Sequence, residues 1–375
     1  MTMARSVVRG TRWATLLLLV LVVVAACSPQ DIQAYCDHDY LAAAPGMNIT
    51  DVQWESSAAQ SHDLDDAKAA GVRWLRLDVN WDYVQAGGRN SFNFAAQDAV
   101  VYGAVARGMK LLLVLDSPTP GWAQSSAGRF APPAQASDYG NFAFVAAAHF
   151  AGEGQHTFEI WNEPNQAARY GPAANTATYT ALLKDAYKKI HAVDATATVL
   201  AGGLAPSGTG GGNISPIDFL SGIYANGGQG SFDAVATHPY SFPYLASDVQ
   251  SWNAFSQMGD LPVSLRSVMT SHGDSVKKIW ATEGGSTVGP VPSCSGCSVN
   301  EAQQSQIIAN AYTTFAKYSW AGPMFLYSLR DSGGSSWDGT TGIERADRSH
   351  RPSFQAYANA AVNWAYNEKP LPSCH

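Results

Sequence analysis

Two glutamates stand where a buried-looking run gives way to polar residues. Glu163 follows Thr157-Phe158-Glu159-Ile160-Trp161-Asn162, and Glu283 follows Lys277-Lys278-Ile279-Trp280-Ala281-Thr282. A carboxyl group at the lip of an apolar strand, with a tryptophan close by, is placed to work at the edge of a cavity. Two such groups facing one another are the apparatus of glycosidic bond cleavage. One protonates the leaving oxygen; the other attacks the anomeric carbon when the two lie about 5–5.5 Å apart. Other polar residues close apolar runs in the same way: Arg76, Asp78, Asp116, His238 with Tyr240, and Asp331.

These residues need elements to hold them. Short apolar runs at 48–54, 73–79, 110–115, 156–161, 197–202, 232–238, 277–283 and 323–328 read as strands. Segments with helical spacing follow them, at 64–70, 94–106, 139–151, 178–192, 217–225, 263–270, 301–318 and 352–364. Strands apolar almost throughout are buried on both faces, which suits a parallel sheet. Eight strand–helix units predict a single (β/α)8 TIM barrel, whose site lies at the C-terminal ends of the strands. An open doubly wound sheet would alternate similarly, but no GxGxxG follows a first strand. Strands four and seven, carrying Glu163 and Glu283, face each other across such a mouth. Counting by alternation, 159, 161 and 163 share one face, so Glu159 is expected deeper inside the barrel with a structural role.

At 46% hydrophobic and 14% charged residues, the composition is that of a folded globular protein. Residues 1–26 carry Arg5, Arg9 and Arg12 before an apolar run too short to span a bilayer comfortably, and read as a secretory leader. Val24-Ala25-Ala26-Cys27 resembles a bacterial lipobox, which implies lipidation of Cys27; the alternative is an ordinary leader with a chance cysteine. Residues 27–44 are expected to be a tether and 45–375 the catalytic domain. The expected location is outside the cytoplasm, lipid-anchored to the cell membrane and facing the wall, or else secreted. Losing the leader removes three arginines and moves the net charge from −7 to −10, which disfavours nucleic acid as a partner. Cys294 and Cys297 most simply pair with each other and Cys36 with Cys374; a redox or half-zinc CxxC is the alternative. No second CxxC or histidine pair stands at ligand spacing, so no metal is expected.

Ile160-Trp161-Asn162-Glu163-Pro164-Asn165 resembles the strand-four acid/base motif of clan A retaining glycoside hydrolases, of the cellulase-like family 5 and family 39 type. Ile279-Trp280-Ala281-Thr282-Glu283-Gly284-Gly285 is similar to their strand-seven nucleophile motif. Arg76, His238 and Tyr240 match the strand-two arginine and the strand-six HxY, and Gly342-Ile343 with Arg351-Pro352-Ser353 resembles the run into the last helix. The resemblance implies that Glu163 is acid and then base, protonated near neutral pH, and that Glu283 is the nucleophile. It implies that Arg76 and Tyr240 favour the charged form of Glu283, and that Asn162 bonds the sugar 2-OH. It places His238 in orienting the site or binding sugar. Trp81, Trp122 and Trp337 are candidate sugar platforms. Tyr327 stands where the clan often has tryptophan, and Trp337 could substitute for it. Asp78, Asp116 and Asp331 are expected to fix loops or line subsites. The layout as a whole resembles actinobacterial lipoproteins that cleave β-galactofuranosyl links of cell-wall galactan; a β-xylosidase, an endo-β-glycanase or a non-catalytic sugar binder are the alternatives. No cofactor is required. The expected partners are a poly- or oligosaccharide and, through the lipid, a membrane, with the protein a monomer. Serine and zinc hydrolase signatures, GxSxG and HExxH, do not occur.

Overall fold

The computed structural model describes residues 43–291, 294–333 and 337–367. Eight parallel strands close into a barrel: β1 (Pro45–Asn48), β2 (Trp74–Asn80), β3 (Lys110–Asp116), β4 (Thr157–Ile160), β5 (Thr198–Leu204), β6 (Ala234–Thr237), β7 (Lys278–Ala281) and β10 (Ala321–Tyr327). An antiparallel hairpin, β8 (Gly289–Val291) and β9 (Cys294–Val299), is inserted after β7. Consecutive barrel strands pair in parallel, and β10 closes the ring between β7 and β1. The single TIM barrel expected from the alternation is the fold.

Continuous apolarity explains the strands. Leu111 to Leu115 of β3 are all buried, because one face fills the barrel and the other meets helices. The helices turn apolar stripes inward, as in Thr176–Val193, which buries Tyr179, Leu182, Leu183, Ala186 and Ile190. Side-chain caps start them: Ser56 accepts from the amide of Ala59, and Ser264 with Ser267 and Asn300 with Gln303 form capping boxes.

The first strand departs from expectation. Residues 48–54 read as a strand, yet β1 is Pro45–Asn48, and Val52–Trp54 form a 3-10 turn with Trp54 exposed. The sequence Pro-Gly-Met-Asn reads as a turn, but the site needs a close approach. A Cβ on Gly46 would lie 2.5 Å from the Phe325 ring, so only glycine lets β1 pack beside β10. Short helices at Trp81–Val84 and Ala254–Gly259 were likewise not expected.

The leader, Cys27, Cys36 and Cys374 lie outside the described residues. Cys297 is disulfide-bonded, and the side chain of Cys294, its expected partner, is not among those described. Among the described residues no helix is long and apolar enough to cross a membrane.

Candidate active site

The C-terminal ends of the strands open into a cavity of about 760 Å³. Asn48, Arg76, Asp78, Asn80, Asp116, Asn162, Glu163, Tyr240, Glu283, Tyr327 and Trp337 all line it.

Beyond β4 the chain turns sharply. Trp161 and Glu163 both adopt left-handed backbone angles, with φ of 68° and 51°. Side-chain-bearing residues are strained there and persist only where surroundings dictate it. The surroundings do: the fully buried Trp161 donates Nε1–H to the Arg169 carbonyl at 3.0 Å, and the Glu163 amide donates to the Gly203 carbonyl at 3.1 Å. The bend turns the Glu163 carboxyl into the cavity. Glu283 follows β7 and is 8% exposed. It accepts from Arg76 Nη1 at 2.8 Å and from the Tyr240 hydroxyl at 2.8 Å. Carboxylate oxygens of Glu163 and Glu283, together with a ring nitrogen of His238, all lie within 4.8 Å of one another.

Arg76 is the hub beneath them. Its Nε and Nη2 grip Glu159 at 3.1 and 3.0 Å, Nη2 also reaches the Asn162 amide oxygen at 3.0 Å, and Nη1 serves Asn48 at 3.2 Å as well as Glu283. All five N–H donors of the guanidinium are used. Burial works against its charge, but Glu159 and Glu283 outweigh that and hold it protonated. With the oxygen of Asn162 fixed on Arg76, its amide N–H groups are what remains for a ligand.

The cellulase model, glycosyl hydrolase family 5, matches residues 36–322. The chain belongs to this family. No curated protein sequence matches it. Among solved structures, a family 39 glycoside hydrolase from Bacteroides cellulosilyticus superposes with a TM-score of 0.66 at 20% identity, over 86% of this chain and 64% of that one. A monomeric β-xylosidase from Caulobacter crescentus gives 0.61 at 17% identity, over 85% and 67%. A family 5 subfamily 18 enzyme from Streptomyces cattleya, solved with GlcNAc, gives 0.66 at 15% identity, over 89% and 83%. At these identities the likeness is one of fold. The family 5 chain thus spans less than two thirds of the family 39 enzyme.

Two expectations for this family 5 site need correction, the sugar platforms at Trp81 and Trp122 and the protonated Glu163, and of the two roles given to His238 the orienting one fits. His238 is fully buried behind the two glutamates, with Nδ1 at 3.2 Å from Glu163 and 3.5 Å from Glu283. It orients carboxylates and does not line the cavity. Trp122 packs edge-on against Trp81 at 6.1 Å, donates to the Gln85 carbonyl and carries the Arg89 guanidinium over its ring. It belongs to the β3 loop's packing, and Trp81 is core. Glu163, expected to have a raised pKa, has a lowered one. Burial pushes it up, but the hydrogen bond and charge of His238, with Arg169 at 3.5 Å, outweigh burial. His238 is raised in turn: burial lowers it, and the charge of Glu283 and the bond to Glu163 prevail.

Other residues were only partly foreseen. Glu159 points into the barrel as alternation implied, but as the bidentate partner of Arg76 it is part of the site's support. A Cβ on Gly203 would lie 2.3 Å from Glu159 Oε1, so this glycine, at φ 76°, makes room for the carboxylate. Asp78 and Asp116 line the floor. Burial, then the charge of Asp78, pushes Asp116 up to about 8, and burial raises Asp78. Asp331 instead pairs with Arg351 at 2.7 Å, away from the cavity. Tyr327 and Trp337 share a wall at 6.4 Å, and Trp337 meets Tyr240 edge-on at 5.4 Å. Arg129 and Arg169 flank Phe130, and all three line the cavity, a feature without a sequence signal.

Glu163, His238 and Glu283 offer donor atoms close enough for a cation. Both Glu283 oxygens already accept from Arg76 and Tyr240, and a cation there would face the guanidinium, so the donor set fits an organic site better. Asp98, His149 and Glu153 form a second such group, outside the cavity lining.

Proposed function

We propose that the chain hydrolyses β-glycosidic bonds with retention of configuration. The observation that carries this is the closeness of the Glu163 and Glu283 carboxylates, within 4.8 Å. That spacing suits direct attack, whereas inversion needs about 6.5–9.5 Å to admit a water. A carboxylate oxygen of Glu283 attacks the anomeric carbon while the bond from that carbon to the leaving oxygen breaks. Glu163 gives its proton to that oxygen. The proton reaches Glu163 from His238 Nδ1, across the 3.2 Å hydrogen bond. A glycosyl-carboxylate ester then links sugar and Glu283. Glu163, now ionised, takes a proton from water as that water attacks the same carbon and frees Glu283. Tyr240 stays a donor throughout, because burial and then the Glu283 charge keep its phenol protonated. NMR of the first-formed sugar should show the substrate's own anomer, and a 2-fluoro glycoside should leave its sugar on Glu283. Initial formation of the opposite anomer would overturn the reading.

The finer reading is a β-D-galactofuranosidase acting on cell-wall galactan. It is supported by the resemblance in layout, and by a cavity floor of Asp78, Asn80, Asp116 and Gln53 that suits hydroxyl groups of a puckered ring with an exocyclic diol. Release of galactofuranose from galactan, set against release from xylan and β-glucan, tests it. Sugar released from xylan alone would favour a β-xylosidase. The leader and Cys27 support a lipid anchor at the cell membrane; a Cys27→Ala chain recovered in the medium rather than in membranes is the expected outcome.

A further inference from the structure

The cavity is lined by three basic residues, Arg76, Arg129 and Arg169. Arg76 has every N–H engaged beneath the nucleophile and nothing left for a ligand. The other two differ. Arg129 is exposed, and Asp82 feels it through charge and not through a hydrogen bond. Arg169 is half-exposed and stands 3.5 Å from Glu163 Oε2, an ion pair without a hydrogen bond. No carboxylate among the described residues accepts a hydrogen bond from either guanidinium.

Both side chains are nevertheless positioned. Their guanidinium carbons lie 5.4 and 5.6 Å from the centroid of the Phe130 ring, close enough for its face to attract them. The backbone beneath is tied. The turn that carries Arg129 is closed by the Ser125 amide donating to the Pro132 carbonyl at 2.9 Å and the Ala131 amide donating to the Gly128 carbonyl at 3.1 Å. The Arg169 carbonyl accepts from the buried indole of Trp161 at 3.0 Å. The Gly171 amide donates to the Phe130 carbonyl at 2.8 Å and so joins the two loops.

Two like charges sharing one ring repel each other, and an anion lying against both removes that repulsion. A guanidinium is the planar fork that carboxylate and phosphate oxygens fit. Position decides which part of the substrate would carry the anion. Glu163 Oε1 faces His238, and Oε2 faces Arg169. The acid of a glycosidase protonates the leaving oxygen. Arg169 pairs with that acid and, among the described residues, not with Glu283. It therefore borders the departing half of the substrate rather than the ring under attack. We propose that Arg129 and Arg169 receive a carboxylate or phosphate carried by the leaving group. This rests on the glycosidase reading and adds that the natural substrate is anionic beyond the scissile bond.

The test compares the full chain with its Arg129→Gln/Arg169→Gln variant. The probes are the nitrophenyl glycosides of β-D-galactofuranose, β-D-xylose and β-D-glucose, and then the cleaved one rebuilt with a carboxylate, a phosphate or a neutral carboxamide on the phenyl ring. The native chain should favour an anionic ring over the carboxamide about tenfold in kcat/KM, with the difference in KM. In the variant that ratio should fall to within roughly twofold, and about 0.5 M salt should shrink it in the native chain. Taking the ratio cancels the influence of Arg169 on Glu163. The larger of the carboxylate and phosphate ratios identifies the group. Equal ratios in native and variant chains overturn the proposal, as does a native preference for the carboxamide. Arg129→Gln alone, at an exposed position, supplies the same comparison where the double variant does not fold. Calorimetric titration with phenyl phosphate, benzoate and benzamide needs no turnover. The native chain should bind the anions more tightly than benzamide, and the variant should bind all three alike. Anions bound no better than benzamide by the native chain overturn the proposal even where none of the glycosides is cleaved. Full turnover of a glycoside by Glu283→Gln instead removes the glycosidase reading, and the calorimetry then still decides the anion site.

Discussion

Replacing Glu159 by glutamine isolates the support beneath the nucleophile. Glu159 is fully buried and takes two of the five N–H bonds of Arg76, at 3.1 and 3.0 Å. Glutamine keeps the shape but presents an amide nitrogen where one of those donors points, and it cancels a buried negative charge. Breaking a buried ion pair by altering one partner costs about 3–5 kcal/mol. Unfolding entropy near ~2.1 cal/mol/K per residue, over roughly 325 ordered residues, is about 0.7 kcal/mol/K. The melting temperature should therefore fall by about 4–7 °C. A second effect separates support from mere stability. With Glu159 neutral, Glu283 becomes the only carboxylate hydrogen-bonded to Arg76 among the described residues, at 2.8 Å, so the guanidinium pairs with the nucleophile alone. The more tightly paired nucleophile should lower kcat. Thermal melts and steady-state kinetics on the purified chain measure both. A melting temperature unchanged within a degree, with kcat unchanged, would refute the hub as described.

Three further outcomes follow from the electrostatics of the same fold. Arg169 favours the ionised form of Glu163 from 3.5 Å, so Arg169→Gln should move the basic limb of kcat/KM upward; a limb that stays put or falls would count against its role. Glu163 is held low and His238 high, so their pair stabilises the fold between those two titrations. The contribution fades as pH drops through the lowered value of Glu163 and as pH climbs through the raised value of His238. His238→Asn should thus lose more melting temperature near about pH 6 than near about pH 9, and equal losses would contradict the pairing. Glu344 is fully buried, with no hydrogen-bond partner at either oxygen among the described residues and His350 at 3.3 Å; burial, then the charges of Asp66 and Asp63, pushes its carboxyl up to about 7. Ionising it costs stability as pH rises from the ordinary carboxylate range through that value. Glu344→Gln should therefore raise the melting temperature at about pH 8 and leave it unchanged at about pH 5, as differential melts would show.

What could be read from the sequence is what lies along one strand. Apolar continuity marked the barrel strands from β2 onward, though not the hairpin β8–β9, and the polar residue ending each apolar run marked Glu163, Glu283, Arg76 and Tyr240 as neighbours of one mouth. β1 was misplaced because Pro45-Gly46 carries the signature of a turn. Its strand character comes from pairing on both sides, with β10 and β2, and from Gly46 admitting the Phe325 ring. Trp122 was misjudged for a related reason. An aromatic residue in a loop after a strand has equal local reason to face a sugar or to pack on Trp81, and only the path of the β3 loop decides.

Protonation was the least legible property, because it depends on distances between strands. Alternation aims Glu159, Arg76, His238 and Glu163 inward, but their pairing depends on how β2, β4 and β6 are staggered around the ring. Arg76 stands opposite Leu112 of β3, and Leu113 stands opposite Phe158 of β4, a register that brings Glu159 to the guanidinium across the barrel. The same stagger sets His238 behind both glutamates. Once it is there, a lowered Glu163 is compatible with an acid's role: on the proposed mechanism the proton for the leaving oxygen comes from that ring, 3.2 Å away and screened from water. On this account the acid is a shared site of two residues, and its apparent titration in a rate profile belongs to the pair rather than to Glu163 alone.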